Sequence, residues 1–263
     1  MLASDNFVYV QFQKTGCTHI AHLLETYFDV RRFDKHSFYN KPKDERLFIG
    51  SMRNPWDWYV SLWAFGCSGK GAVRARFDEV MEKRARLRSH ASYANFSDAV
   101  DWTKVYADPL DGEQFRLWLR AMMGQPGQRA MASTYAKSSL RHCTGFMGYR
   151  FCQFHTRFGK LDALNAHVAT NEELAAFYAE HKLIDRFIRM EQLEEDLSQV
   201  MAALGQPVRA EDLKAHGKTN ASAHQPWFDY YDQETSDLVA AREAFLIDLF
   251  GYKGPFEQAV SAA

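Results

Sequence analysis

Five residues near the start of the chain, Lys14-Thr15-Gly16-Cys17-Thr18, bring together an ammonium group, two hydroxyls and a glycine. They lie between a run that reads as a β-strand and a run that reads as a helix. Unpaired backbone N–H groups and the helix dipole favour negative charge at such a junction, and a lysine beside them strengthens the preference. The implied chemistry is phosphate binding. In the nucleoside triphosphate form of such a loop, G-x-x-x-x-G-K-[ST], the lysine follows the last glycine and a neighbouring hydroxyl serves Mg²⁺. Here the lysine precedes the glycine, so the loop belongs to another kind of phosphate chemistry.

A second constellation is Arg53-Asn54-Pro55-Trp56-Asp57-Trp58-Tyr59-Val60-Ser61. Asn54 is a preferred helix N-cap and Pro55 suits the first helical position. Arg53 therefore ends a strand, and Ser61 sits two turns into the helix that follows. A guanidinium bonds two phosphate oxygens at once, while a helical hydroxyl can donate to a third. The first loop resembles the 5'-phosphosulfate loop of sulfotransferases that use 3'-phosphoadenosine 5'-phosphosulfate (PAPS), and the second resembles their 3'-phosphate motif. Arg189-Met190-Glu191-Gln192-Leu193-Glu194-Glu195-Asp196-Leu197 is similar to the family's R-x-E-x-L-x-x-D segment, and Asn220-Ala221-Ser222 through Tyr252 resembles its C-terminal stretch. The likeness covers about the first 65 residues and the last 80. It departs from the family at Gln13, where proline is common, and at Cys17, where a small or hydroxyl residue is usual. A helix N-terminus can lower a thiol pKa, but the expected reading of Cys17 is an ordinary loop thiol that offers its backbone N–H.

The resemblance implies transfer of a sulfuryl group from PAPS to an acceptor hydroxyl, with carbohydrate one candidate acceptor, and a P-loop-NTPase-like fold. It assigns Lys14, Thr15, Gly16, Cys17, Thr18, Arg53 and Ser61 to the nucleotide. Lys14 would neutralise the departing phosphate. Among 10 histidines, His36 is the expected base, because it follows the second strand as the base does in many family members; Lys35 beside it would touch the sulfuryl oxygens. His19 and His22 on the first helix are lesser candidates, and Glu25 an outsider. His142 and His155 border the middle of the chain and His216 and His224 flank the C-terminal motif. Two other readings stand beside this one: an NTP-dependent kinase or phosphotransferase, and a homologue that binds nucleotide without turnover.

These residues need elements to position them. Phe7 to Phe12 reads as a buried parallel strand. Ile20, Leu23, Leu24, Tyr27 and Phe28 make one helical stripe, with His19 and His22 on other faces. Further strands are expected at Val30–Phe33, Leu47–Met52 and Phe187–Met190. Trp56, Tyr59, Val60, Trp63 and Ala64 stripe the helix after Arg53, leaving Ser61 on another face. Helices are expected around Glu79–Arg88, Glu113–Met123 and Leu193–Leu204, and one long helix over Thr235–Phe250, with a break at Gly124–Gly127. Alternating strands and amphipathic helices predict an α/β fold, a three-layer parallel sheet flanked by helices, with a mostly helical insertion at about 67–150 in a single domain spanning 1–263. Ligands of such sheets bind beyond the carboxyl ends of the strands, which puts the loops at Lys14, His36 and Arg53 on one edge.

Composition sets the outer bounds. The 263 residues are 46% hydrophobic, enough for a full core, and carry a net charge of −1, so any anion site is local and nucleic acid is not an expected partner. The arginines at 74, 76, 84, 86 and 88 are interleaved with Asp78, Glu79 and Glu82 and read as a solvated helix with i,i+4 pairs. Trp102, Tyr106 and Trp118 read as core. Four cysteines without CxxC spacing predict reduced thiols and no metal site. No apolar stretch approaches the roughly 18 residues of a membrane span, so the expected location is the cytoplasm.

Overall fold

The computed structural model describes residues 1–86, 100–157, 168–217 and 225–258. Arg88, Asn220–Ser222 and His224 lie outside them. The chain divides into two compact units, Met1–Asn54 with Arg150–Ala163 and Ala175–Ala221, and Pro55–Tyr149 with Leu164–Leu174 and Ser222–Ala263.

The first unit is built on a five-stranded sheet: β1 (Leu2–Ala3), β2 (Phe7–Tyr9), β3 (Arg31–Arg32), β4 (Leu47–Met52) and β5 (Arg186–Arg189), in the order β3-β1-β2-β4-β5. The sheet is mixed. β2, β4 and β5 pair in parallel, whereas β1 is antiparallel to both β2 and β3. Only β1 runs backward, so β3 points the same way as β2, β4 and β5. The short β1 escapes the periodicity argument because two residues have no period. Its insertion makes β3 an exposed edge strand in place of an interior one. The loops after β2, β3 and β4 nevertheless leave the same edge, as the sequence leads one to expect.

Alternation decides which residues face which layer. Phe7, Tyr9, Ile49 and Ile188 form one buried face, packed on Ile20, Leu23 and Leu24 of α1 (Cys17–Tyr27) and on Leu193, Leu197, Val200 and Met201 of a second helix, Leu193–Ala203. His19, on another face of α1, is buried as well. The opposite face carries aromatic rings: Tyr39 meets Phe48 edge-on at 4.9 Å, Phe12 meets Phe154 at 5.9 Å, and Phe151 stacks on Phe187 at 5.7 Å.

The second unit is helical: α2 (Pro55–Cys67), α3 (Ala72–Arg86), α4 (Gly112–Met123) and α5 (Gln125–Met131) lead into shorter helices, and α6 (Gln233–Arg242) and α7 (Ala244–Phe250) follow later in the chain. Gly124–Gly127 does not break the chain into a loop; Pro126 sits in the first turn of α5, where its missing N–H costs nothing. Trp63, Phe115 and Tyr230 form an edge-to-face cluster at 5.6 to 5.9 Å. Trp102, Tyr106 and Trp118 are core residues, and the indole of Trp118 donates to the Tyr106 hydroxyl at 2.5 Å. Arg74–Asp78 and Lys83–Glu79 are i,i+4 ion pairs on α3.

The expected long C-terminal helix is interrupted at Glu243, which leaves helical geometry between α6 and α7. Its carboxylate is fully buried and accepts the Tyr59 hydroxyl at 2.5 Å and the N–H groups of Met147 at 3.2 Å and Gly148 at 2.9 Å. A Cβ at Gly145 would come within 2.1 Å of that carboxylate, so the close approach there needs glycine. Periodicity reads straight through such a break, since the apolar stripe continues on both sides.

Candidate anion-binding site

The candidate site is assembled at the strand ends of the first unit. After β2 the chain runs on to Lys14, which adopts φ +63°, and Gly16, at φ +67°, before α1 begins at Cys17. His36 is at φ +60°; among the described residues, Lys14 and His36 are the only non-glycine residues in this left-handed region. Each such residue costs on the order of 1–2 kcal/mol, so the surrounding structure must hold it there. A Cβ on Gly16 would come within 2.5 Å of the Met190 sulfur, so both the backbone conformation and the packing favour glycine there.

The loop is tied from below. The Thr15 hydroxyl is wholly buried and donates to the Phe12 carbonyl at 2.8 Å. With its one proton spent, it accepts from Ser51, 2.7 Å away, which in turn accepts from Tyr9 at 3.0 Å. Thr15 therefore offers a ligand its backbone and not its hydroxyl, a correction to the expected pair of hydroxyls. Thr18 keeps an exposed hydroxyl, which accepts from the Lys35 ammonium at 2.7 Å. Arg53 donates to the Lys14 carbonyl at 3.3 Å. The main chain of Asn54, just before α2, donates to Glu191 at 2.5 Å, and Arg189 makes two side-chain bonds to buried Asp196 at 2.8 Å. The Arg189–Asp196 segment thus braces both loops.

Three cations meet at the start of α1. Burial pushes the Lys14 ammonium down to about 8, and the neighbouring charges of Arg53 and Lys35 push in the same direction. Gly16 gives α1 no side-chain cap, and the first turn holds no acidic residue. The first N–H groups of the helix therefore meet positive charge, an arrangement that suits an incoming anion. The Cys17 thiol is buried, and that burial raises its pKa, against the lowering a helix N-terminus can produce.

His36 is oriented by the same strand. Its Nδ1 lies 3.1 Å from the Gln11 carbonyl, an atom that can only accept, so Nδ1 carries the proton and Nε2 is the basic nitrogen. Burial lowers the pKa of the ring, and the nearby charge of Arg150 lowers it further. The Gln11 side chain also donates to the Cys17 carbonyl at 3.3 Å, linking His36 to the loop. The sequence motifs do not point to Gln11; a buried amide inside an apolar strand is the signal that could find it. Arg150, whose guanidinium lies 4.5 Å from the centre of the Phe154 ring, had none, being more than 100 residues away in sequence.

The structure brings Lys14, Thr15, Gly16, Cys17, Thr18, Lys35, His36 and Arg53 into one unit. Ser61 belongs to the second unit and is buried on α2, not on an open face. Glu25 is ion-paired with Arg32, and the His216 ring bonds the Tyr27 hydroxyl at 3.2 Å. His142 accepts from Arg141 at 3.1 Å in the second unit, whereas His155 is buried in the first. Among the described residues no group of His, Cys, Asp or Glu is placed to hold a metal ion, and no helix is long and apolar enough to cross a membrane. Comparison with family models, curated proteins and solved structures gave no significant match.

Proposed function

We propose that this protein is a sulfotransferase that moves a sulfuryl group from PAPS to an acceptor hydroxyl by in-line displacement. One observation carries the reading: the glycine-turned loop opens α1 with its lysine before the glycine, while Lys14, Lys35 and Arg53 gather at that helix start with no acidic residue in the first turn. A donor with phosphate at both ends of a ribose suits a cradle of this charge. Lys14 and the main chain of residues 15–18 hold the 5'-phosphate, and Arg53 holds the 3'-phosphate. Ser61 is assigned to the same phosphate by the sequence resemblance alone.

The residue roles follow from atom and charge balance. The acceptor oxygen forms a bond to sulfur as the bond from sulfur to the bridging phosphate oxygen breaks. His36 Nε2 takes the acceptor proton, since Nδ1 already holds one and burial keeps the ring neutral near pH 7. Lys14 faces the charge that develops on the leaving phosphate, where a preorganised cation is worth most. Lys35, fixed by Thr18, stands beside the sulfuryl oxygens.

The test is thermal denaturation with the product nucleotide, 3'-phosphoadenosine 5'-phosphate, because a ligand that prefers the folded state raises Tm. The expected result is a rise that Lys14→Ala and Arg53→Ala abolish. A larger rise with ATP and Mg²⁺ would favour the phosphotransferase reading. Nucleotide binding without sulfate transfer to a broad acceptor panel would favour a protein that binds and does not turn over.

A further inference from the structure

The segment that carries His36 has a second side. Residues 33–34 and 37–41, on either side of Lys35 and His36, wall a cavity of about 550 Å³ in the first unit, bounded elsewhere by β1, the start of β2 and the stretch before β3. That volume falls within the usual range for small-molecule sites. Its chemistry differs from that of the anion cradle. Asp5, Asp29 and Asp34 line it, and none of these carboxylates takes a side-chain hydrogen bond or ion pair from another described residue. Arg46 is bonded to Asp44 at 2.7 and 2.9 Å, which leaves Arg31, Lys41 and the Met1 ammonium facing the three carboxylates. The lining thus has no excess of either charge and offers both donors and acceptors.

Two phenylalanines complete it. Phe33 is 51% exposed and Phe38 38% exposed, while most large apolar rings of this unit are buried. Folding gains little by leaving both rings open to water beside polar groups. Carboxylates accept hydroxyl protons, guanidinium and ammonium groups donate to hydroxyl oxygens, and an aromatic face packs against C–H groups. A ligand that uses all three at once, without net charge, is a sugar ring. Phe38 also packs on Phe154 at 4.8 Å, next to Arg150, which brings the cavity wall back to the surroundings of His36.

We infer that this cavity binds a neutral sugar residue, holding the non-reacting part of a glycan acceptor whose hydroxyl reaches His36. The acceptor role rests on the sulfotransferase reading; the binding of sugar does not. The test is saturation-transfer-difference NMR on the full chain with maltotriose, cellotriose and chitotriose, and with a trigalacturonate as charged control, beside thermal denaturation with 3'-phosphoadenosine 5'-phosphate. At least one neutral trisaccharide should show saturation transfer. Phe33→Ala should weaken it about tenfold, as expected for a lost aromatic packing partner, and Asp29→Asn should weaken it too, with the nucleotide shift unchanged in both variants. Saturation of trigalacturonate alone, of no saccharide, or of a neutral one equally in wild type and Phe33→Ala would overturn the inference. Sugar binding that depends on Phe33 in a protein without any nucleotide shift would leave the cavity assignment standing and remove the sulfotransferase reading.

Discussion

The loop at Lys14 and the carboxylate of Glu243 each bury an ionisable group, and they settle the cost in opposite ways. Glu243 is raised to about 7, chiefly by burial, yet a tyrosine hydroxyl and two main-chain N–H groups meet it. Its partners come from distant stretches of one unit, and the cluster is closed. Lys14 is lowered to about 8, also chiefly by burial, but the nearby charges of Arg53 and Lys35 deepen the shift, and its backbone is strained. A perturbed group surrounded by complementary partners is architecture. A perturbed group among like charges, beside the start of a helix, is where the proposed nucleotide phosphate would bind.

Substitutions sharpen the contrast. The largest effect is expected at His36: His36→Gln should lower kcat by about 10³-fold, within the usual range for a general base, while leaving nucleotide affinity intact. Steady-state kinetics beside a nucleotide titration measures both, and equal losses in kcat and affinity would assign His36 to binding. Glu243→Ala should reduce stability by about 3 kcal/mol, since it strands a buried hydroxyl and two N–H groups. Urea denaturation checks this. A variant as stable as wild type would mean the cluster is not the closed unit described.

A smaller effect separates a third group. His155 is fully buried among Phe12, Phe151 and Phe187, neither ring nitrogen has a hydrogen-bond partner, and burial lowers it to about 3. Its folded pKa lies below the unfolded value of about 6.5. Its contribution is therefore intact above that value and lost as pH falls toward 3. Between pH 6.5 and 5 this amounts to about 2 kcal/mol, and His155→Phe should flatten that part of the stability curve. An unchanged acid limb would show that the ring finds a partner on protonation. Smallest is Thr18→Val, which frees Lys35 from its hydroxyl and should cost nucleotide affinity a fewfold, about 1 kcal/mol.

The sequence made some of this legible and hid the rest for identifiable reasons. The Lys14 loop, β4 and the start of α2 follow from local chemistry: an apolar run, a glycine, and Asn-Pro at a helix start. The reversed β1 is too short to show a pattern, so a mixed sheet reads as a parallel one. The interruption at Glu243 is invisible because the partners that stabilise it, Tyr59 and residues 147–148, are far away in sequence. The same limit hides Arg150 beside His36. It also hides the inward turn of Thr15, whose hydroxyl looks available until Ser51 and Phe12 are seen to take it. Side chains that answer to neighbours along the chain could be read; those that answer to neighbours across the sheet could not.

The central claim is that an anion completes the charge at Lys14, and calorimetry with 3'-phosphoadenosine 5'-phosphate tests it most directly. An ammonium with a pKa near 8 is partly neutral at pH 8.5, and a phosphate beside it raises that pKa. Titrations at pH 8.5 in buffers of different ionisation enthalpy should therefore report proton uptake on binding, absent in Lys14→Met, with affinity falling as pH rises above 8. Binding without proton uptake, or uptake that survives Lys14→Met, would contradict it.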